Sequence, residues 1–355
     1  MTSAATKGGS LVVDRITVKY GDFVAVEDIS LQVEPGETTA VIGPSGCGKS
    51  TTLKAVAGLN HVSKGSVIIN GKDVTELTAA QRNIGLVPQS YACFPHMTVR
   101  GNIAYGLKVR GVDAGKRDET VERVLNLTQL SEYADRKPAQ LSGGQRQRVA
   151  LGRAIAIDPS VLLLDEPLAA LDPQLRNDLR RQLANIVADV GCGTLIVTHD
   201  QYEALALADK IAILRSGKLV QYGTPDELWT RPIDDFVANF LTNSTLLDCE
   251  VGDGFAYALN GNWQVPLSDL VVRSDDRPKP QLLIRPNTLQ LAERADANAF
   301  EAVVQSVEYM GGHFQAVVKT VDGAALLVTT DERLSNEDIV RLTVRPGEAA
   351  LLGRI

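Results

Sequence analysis

Four stretches carry residues whose types and spacing could do chemistry. Gly43-Pro44-Ser45-Gly46-Cys47-Gly48-Lys49-Ser50-Thr51 follows the apolar run Thr39-Ala40-Val41-Ile42 and precedes the helix-forming Thr52-Leu53-Lys54-Ala55-Val56. Strand, tight loop and helix in that order let glycine backbone turn through positive φ, so that successive N–H groups and a helix N-terminus face one anion. The spacing G-x-x-x-x-G-K-[ST] sends the Lys49 ammonium to the β- and γ-phosphates of a nucleotide and the Ser50 hydroxyl to Mg²⁺. Gly43, Pro44, Ser45, Gly46, Cys47, Gly48 and Thr51 form the rest of that cradle.

Val161-Leu162-Leu163-Leu164-Asp165-Glu166 is an apolar run closed by two carboxylates. That is how a strand buried on both faces of a parallel sheet reads, with its carboxyl end at the ligand edge. Asp165 is placed to hold Mg²⁺ or its water shell, and Glu166 to orient or deprotonate the water that attacks a γ-phosphate. Thr194-Leu195-Ile196-Val197-Thr198-His199 repeats the logic and ends in one of only four histidines, whose ring N–H could reach a γ-phosphate oxygen. Gln89, just past the run Ile84-Gly85-Leu86-Val87, could reach Mg²⁺ or the attacking water, or could simply decorate the surface.

Around these lie the elements that must position them. Ser10–Val13, Ile16–Tyr20 and Ile29–Val33 read as short strands separated by turns at Gly21-Asp22 and Glu34-Pro35-Gly36, an antiparallel sheet leading into the phosphate loop. Tyr20 stands before a turn, where its ring could stack on a purine or merely pack. From about Thr98 to Arg136 the pattern is helical, with Val121, Val124, Leu125 and Leu127 at helical spacings. Ser142-Gly143-Gly144-Gln145 then opens a helix and reads equally as an N-cap or as a second phosphate contact.

Composition narrows the function class. The chain has 355 residues, 44% hydrophobic and 22% charged, enough for two or three domains. With 36 basic against 43 acidic residues the net charge is −7, opposite to the basic footprint of a nucleic-acid binder. The first residues lack a signal-peptide core and no run of about 18 apolar residues appears, so a cytoplasmic protein is expected. Four widely spaced cysteines argue against a disulfide frame or zinc site. Cys47, inside the phosphate loop, could be oxidised or alkylated if it had thiolate character.

Taken together these motifs resemble the ATP-binding subunit of an ABC transporter. In that family's terms Gly43 to Ser50 is the Walker A loop, Gln89 the Q-loop glutamine and Leu141 to Gln145 the signature motif. Val161 to Glu166 resembles Walker B with its catalytic glutamate, Leu171-Asp172 the D-loop, His199 the switch histidine and Tyr20 the A-loop aromatic. The resemblance implies an α/β P-loop NTPase fold of the ABC type over residues 1–240, with a helical subdomain at about 95–158. It further implies ATP and Mg²⁺ as cofactors and a head-to-tail homodimer in which the signature of one subunit, with Asp172, meets the nucleotide of the other.

After about residue 241, β-like runs recur at 282–284, 302–304, 316–318, 326–328 and 339–342, broken by Gly311-Gly312, Asp322-Gly323 and Arg345-Pro346-Gly347. A small all-β barrel over 241–355 is expected. Ile284-Arg285-Pro286 and Glu308-Tyr309-Met310-Gly311-Gly312 resemble the OB-like TOBE domain of importer ATPases for sugars, polyamines, ferric iron, sulfate and phosphonates. Ser90 to Val99 and Thr198-His199-Asp200-Gln201 are similar to the same subgroup, although Pro88 replaces its usual phenylalanine and Cys93 its usual leucine. The implied partners are two membrane-spanning permease subunits and, through them, a solute-binding protein, with the chain peripheral on the cytoplasmic face of the inner membrane. Among solutes the short C-terminal part favours ferric iron or polyamine over sugar. Two other readings stand beside this: a soluble ABC ATPase on ribosomes or DNA, which usually carries tandem halves or a coiled-coil insertion, and an added role for the barrel as a small-ligand sensor.

Overall fold

The apolar runs that end in functional residues are buried on both faces, and the two faces enter different cores. In the computed structural model, which describes residues 9–169, 173–293 and 296–353 and only the backbone of 173–177, Leu162, Leu164 and Ile196 point into one hydrophobic cluster. Val161, Leu163, Leu195 and Val197 alternate with them and enter a second cluster. That is why these strands read as continuous rather than alternating hydrophobic sequence.

The chain divides into two compact units, the first ending at Pro225. Its strands are β1 (Leu11–Tyr20), β2 (Phe23–Val33), β3 (Thr38–Ile42), β4 (Lys64–Ile69), β5 (Lys72–Asp73), β6 (Ile84–Val87), β7 (Val161–Asp165), β8 (Gly193–Val197), β9 (Lys210–Arg215) and β10 (Lys218–Gly223). Its helices are α1 (Lys49–Val56), α2 (Val99–Val109), α3 (Ala114–Leu127), α4 (Gly143–Ala156), α5 (Pro173–Val190) and α6 (Gln201–Leu207). An antiparallel sheet has the order β2-β1-β4-β5, and a mainly parallel sheet has the order β10-β9-β3-β8-β7-β6. Strands β9, β3, β8, β7 and β6 run parallel, and β10 returns antiparallel along β9. The carboxyl ends of β3, β6, β7 and β8 therefore share one edge, where ligands of such sheets collect.

The expected pair of short strands before Tyr20 is one strand. The register slips between Val13 and Ile16 where Arg15 adopts φ 48°, a bulge that interrupts the apolar alternation without ending the pairing. In the helical region, Val99, Ile103, Val121, Val124, Leu125 and Val149 of α2, α3 and α4 share one core. Arg82, only 3% exposed, closes the far end of α1 by donating to the carbonyls of Ala55 (2.7 Å) and Val56 (2.8 Å). This satisfies carbonyls that a helix end otherwise leaves bare.

The second unit begins at Asp226. Helix α7 spans the division (Pro225–Thr230), and α8 (Asp235–Thr242) sets Ala238 among Leu246, Leu283, Ala350 and Leu352, so its apolar face belongs to the β structure that follows. That structure comprises β11 (Thr245–Gly252), β12 (Phe255–Ala258), β13 (Trp263–Pro266), β14 (Leu270–Arg273), β15 (Gln281–Ile284), β16 (Leu289–Leu291), β17 (Phe300–Tyr309), β18 (Phe314–Thr320), β19 (Ala325–Thr330), β20 (Ile339–Val344) and β21 (Ala349–Leu352). They form sheets of order β13-β12-β11-β15-β21-β14 and β16-β20-β17-β18-β19, antiparallel apart from the β14–β21 pair. The second sheet curls into a nearly closed barrel, the Thr329 N–H donating to Pro286 O at 2.6 Å. Its core holds Phe300, Ala302 and Val304 from alternate positions of β17, with the Trp263 ring 4.5 Å from Phe300 and its Nε1–H given to Asn298 O at 2.9 Å. Strands β11 to β14, β16 and β21 go beyond the sequence reading. One clear signal for them was the pair Asp253-Gly254, both at positive φ, which makes a two-residue hairpin between β11 and β12.

Candidate active site

Strand β3 delivers the chain at Ile42 into the phosphate loop, and backbone geometry there demands glycine. At Gly43, φ is 152° and a Cβ would sit 2.2 Å from Leu214 O; at Gly48, φ is 105° and a Cβ would lie 3.0 Å from Val26 Cγ1. Gly48 is the N-cap of α1 and supplies no side-chain cap, so the first turn of the helix keeps its N–H groups available. Lys49 is 7% exposed, and its ammonium donates to Gly43 O (2.8 Å) and Pro44 O (3.0 Å), which holds it inside the loop it must serve.

A cleft of about 570 Å³ opens over this loop, lined by Ser45, Gly46, Gly48, Lys49, Ser50 and Thr51, with Tyr20, Phe23, Ala25, Glu166 and His199 around them. Two aromatics stand at the rim on the β1–β2 hairpin, Tyr20 at 52% exposure and Phe23 at 68%. The Tyr20 hydroxyl accepts from Asn60 Nδ2 at 2.8 Å, so the ring is held at its tip while its face stays open. Phe23 escaped the sequence reading, although its place directly across the hairpin from Tyr20 was the available signal.

At the end of β7, Ser50 Oγ donates to Asp165 Oδ1 at 3.2 Å, joining the first turn of α1 to the strand end. Burial pushes the Asp165 carboxyl above its ordinary range, the Ser50 hydrogen bond opposes that, and the neighbouring Glu166 charge adds to it. A half-buried carboxylate beside a hydroxyl is a hard-oxygen pair, and Mg²⁺ takes such a pair while keeping its other positions for phosphate oxygens and water. The donor set fits magnesium.

Glu166 is the meeting point. Its backbone adopts φ 47°, unusual for a residue with a side chain, and its N–H donates to Val197 O at 2.8 Å. Held in that turn, Glu166 Oε2 accepts from Gln89 Nε2 at 2.6 Å and lies 3.4 Å from His199 Nδ1. Three strand ends, those of β6, β7 and β8, thus converge on one carboxylate oxygen.

The remaining expected residues lie apart from this cleft. Ser142 caps α4: its hydroxyl accepts from the Gln145 N–H at 3.3 Å, and Gln145 Oε1 accepts from the Ser142 N–H at 2.8 Å. Gly143 and Gly144 follow in the first turn, with Gly144 packed so that a Cβ would touch Leu179. None of Ser142, Gly143, Gly144 and Gln145 lines the cleft that holds the phosphate loop. Asp172 and Leu171 lie outside the described residues. Cys47 is 3% exposed, and burial raises its thiol pKa while the Lys49 charge opposes that, so burial works against the thiolate that reactivity requires.

Among the described residues no helix is long and apolar enough to cross a membrane. Residues 26–169 match the ABC transporter family, and residues 282–352 match the TOBE domain. The chain is 41% identical over 328 residues to the Fe(3+) ions import ATP-binding protein FbpC of Brucella abortus, covering 91% of this chain and 92% of that protein. It is 41% identical over 339 residues to the sulfate/thiosulfate import ATP-binding protein CysA of Gloeobacter violaceus, covering 96% and 92%. A phosphate loop, three strand ends gathered on Glu166 and a β unit later in the chain agree with these likenesses, and the chain belongs to the ABC transporter family, as an importer-type ATP-binding subunit with a C-terminal TOBE domain.

Proposed function

We propose that this chain hydrolyses ATP to drive uptake of ferric iron through two membrane-spanning permease subunits fed by a solute-binding protein. The observation that supports the chemistry best is the triple meeting at Glu166, where a carboxylate stands between Gln89 and His199 across the cleft from Lys49. Lys49 and the open first turn of α1 bind the phosphate chain, while Tyr20 and Phe23 cover the base. Ser50 and Asp165, with Gln89, would hold Mg²⁺, which would supply charge neutralisation at the phosphates. Glu166 orients the attacking water and accepts its proton, and His199 donates to a γ-phosphate oxygen.

Hydrolysis in this reading needs a second copy. Ser142, Gly143, Gly144 and Gln145 do not line the cleft of their own chain, and in this reading they act on the nucleotide of a partner in a head-to-tail homodimer, a part that the family resemblance gives to Asp172 as well. The dimer works at the cytoplasmic face of the inner membrane. Ferric iron is preferred because relatives from Brucella abortus and Rhizobium meliloti carry that name, with sulfate next through the Gloeobacter relative.

The test is uptake in a strain deleted for this gene and complemented with wild type or Glu166→Gln. Labelled ferric iron uptake should fall in the deletion and return with wild type alone. Normal iron uptake in the deletion, with loss of labelled sulfate instead, would move the cargo; loss of neither would overturn both cargo assignments.

A further inference from the structure

His199 has no neighbour in its own strand to fix it, since the strand β8 ends at Val197 and α6 begins at Gln201. What holds the turn between them is a side chain that the motifs did not single out. Glu203 lies in the first turn of α6, 2% exposed, in a place where a carboxylate is expensive unless it is bound. Its Oε2 accepts from Thr198 Oγ1 at 2.6 Å, and the same hydroxyl accepts from the Asp200 N–H at 3.0 Å. The ring closes through the Glu203 N–H, which donates to Asp200 Oδ1 at 3.0 Å. Both chain neighbours of His199 are therefore tied to one buried residue.

We propose that Glu203 is a positioning residue for His199: through Thr198 and Asp200 it fixes the turn that aims the imidazole at Glu166 and the nucleotide phosphates. The inference rests on the reading of His199 as a phosphate contact. Further groups face the carboxylate from the elements around it. Arg180 of α5, 3.8 Å from Asp200 Oδ2, and His199 favour the charged form of Glu203, while Asp200 opposes it. Tyr91, whose hydroxyl donates to Pro167 O at 3.2 Å, also feels the Glu203 charge. Tyr91 lies two positions beyond Gln89, and Pro167 directly follows Glu166. Among the described residues Glu203 Oε1 has no hydrogen-bond partner, and the carboxylate is tied to the turn through Oε2.

The experiment compares ATP turnover and ATP affinity of the full chain with those of Thr198→Val, Thr198→Ser, Glu203→Ala, Glu203→Gln and His199→Ala. Thr198→Val and Glu203→Ala should lower kcat about tenfold to a hundredfold, as misplacement of a group near the reacting atoms does, with KM for ATP changed less than about threefold. Thr198→Ser and Glu203→Gln each keep a donor or acceptor at the right place and should restore kcat to within about threefold. Should Glu203→Ala fail to fold, the nearly isosteric Thr198→Val decides. Wild-type kcat in Thr198→Val while His199→Ala is inactive would overturn the positioning role and leave the parent reading standing. Wild-type kcat in His199→Ala would overturn the parent reading itself.

Discussion

Helices α1 and α4 begin alike in sequence and differently in space. Both open among glycines beside a serine, and either could bind an anion at its N-terminus. Helix α1 starts at Gly48 with no side-chain cap, and its first residues Lys49, Ser50 and Thr51 line the cleft. Helix α4 starts at Ser142, whose hydroxyl and the Gln145 amide satisfy each other's backbone N–H groups. An uncapped start leaves donors for a ligand, whereas a capping box consumes them. The difference teaches that glycines beside a serine mark a phosphate site only where nothing in the chain has already answered the N–H groups.

Lys49→Ala attacks the open end directly. Removing a cation enclosed by Gly43 O and Pro44 O should lower ATP turnover by about 10³-fold, measured as phosphate release, because a charge aimed at the transferring phosphoryl group is lost. Turnover near that of wild type would erase the distinction between the two helix starts.

A third start, that of α6, sharpens the comparison. Asp200 and Glu203 stand at N-cap and N3 as Ser142 and Gln145 do, yet Glu203 does not return to its cap and instead takes the Thr198 hydroxyl. Burial raises the Glu203 carboxyl from 4.5 to about 7. A raised carboxyl contributes full stability below about pH 4.5 and loses it as pH climbs to about 7, by about 3 kcal/mol. Glu203→Gln lacks this loss. Its stability relative to wild type, from urea unfolding of the first unit's transition, should therefore grow between pH 5 and pH 8; a constant difference would show that Glu203 is not held neutral by burial.

Ser142→Ala should have the smallest effect on the fold, about 1 kcal/mol from the lost cap. ATP affinity of the cleft should stay unchanged, while turnover falls at concentrations where the chain dimerises. An equal loss of affinity and turnover in dilute protein would place Ser142 at its own chain's nucleotide and break the contrast with α1.

How much of this was legible depends on the range of the interaction. The Walker-type loop at 43–50 could be read because φ > 0 at Gly43, Gly46 and Gly48 is a local demand that the residue type announces. The two-sided burial of β7 was legible in its unbroken apolar run, and the capping box of α4 in its S-x-x-Q spacing. Phe23 was missed because an exposed aromatic beside a turn carries no periodic signal. Glu203 was missed because a charged residue in a helix's first turn ordinarily faces water, and nothing local says that this one is buried. Strands β11 and β12 were missed although the Asp253-Gly254 turn marked their hairpin.

By itself, then, the sequence determined which residues could bind phosphate, metal and water, that they stand at strand ends, and that a β unit follows an α/β unit. These are consequences of spacing, backbone preference and apolar period, all of which act within a few residues. Only the tertiary structure decided that Gln89 and His199 meet on one oxygen of Glu166, that Ser50 reaches Asp165, and that the turn bearing His199 is tied to a buried carboxylate. The physical reason is strand order: β6, β7, β8 and β3 are far apart along the chain and adjacent in the sheet, and their neighbourhood is set by the burial of both sheet faces rather than by any local pattern.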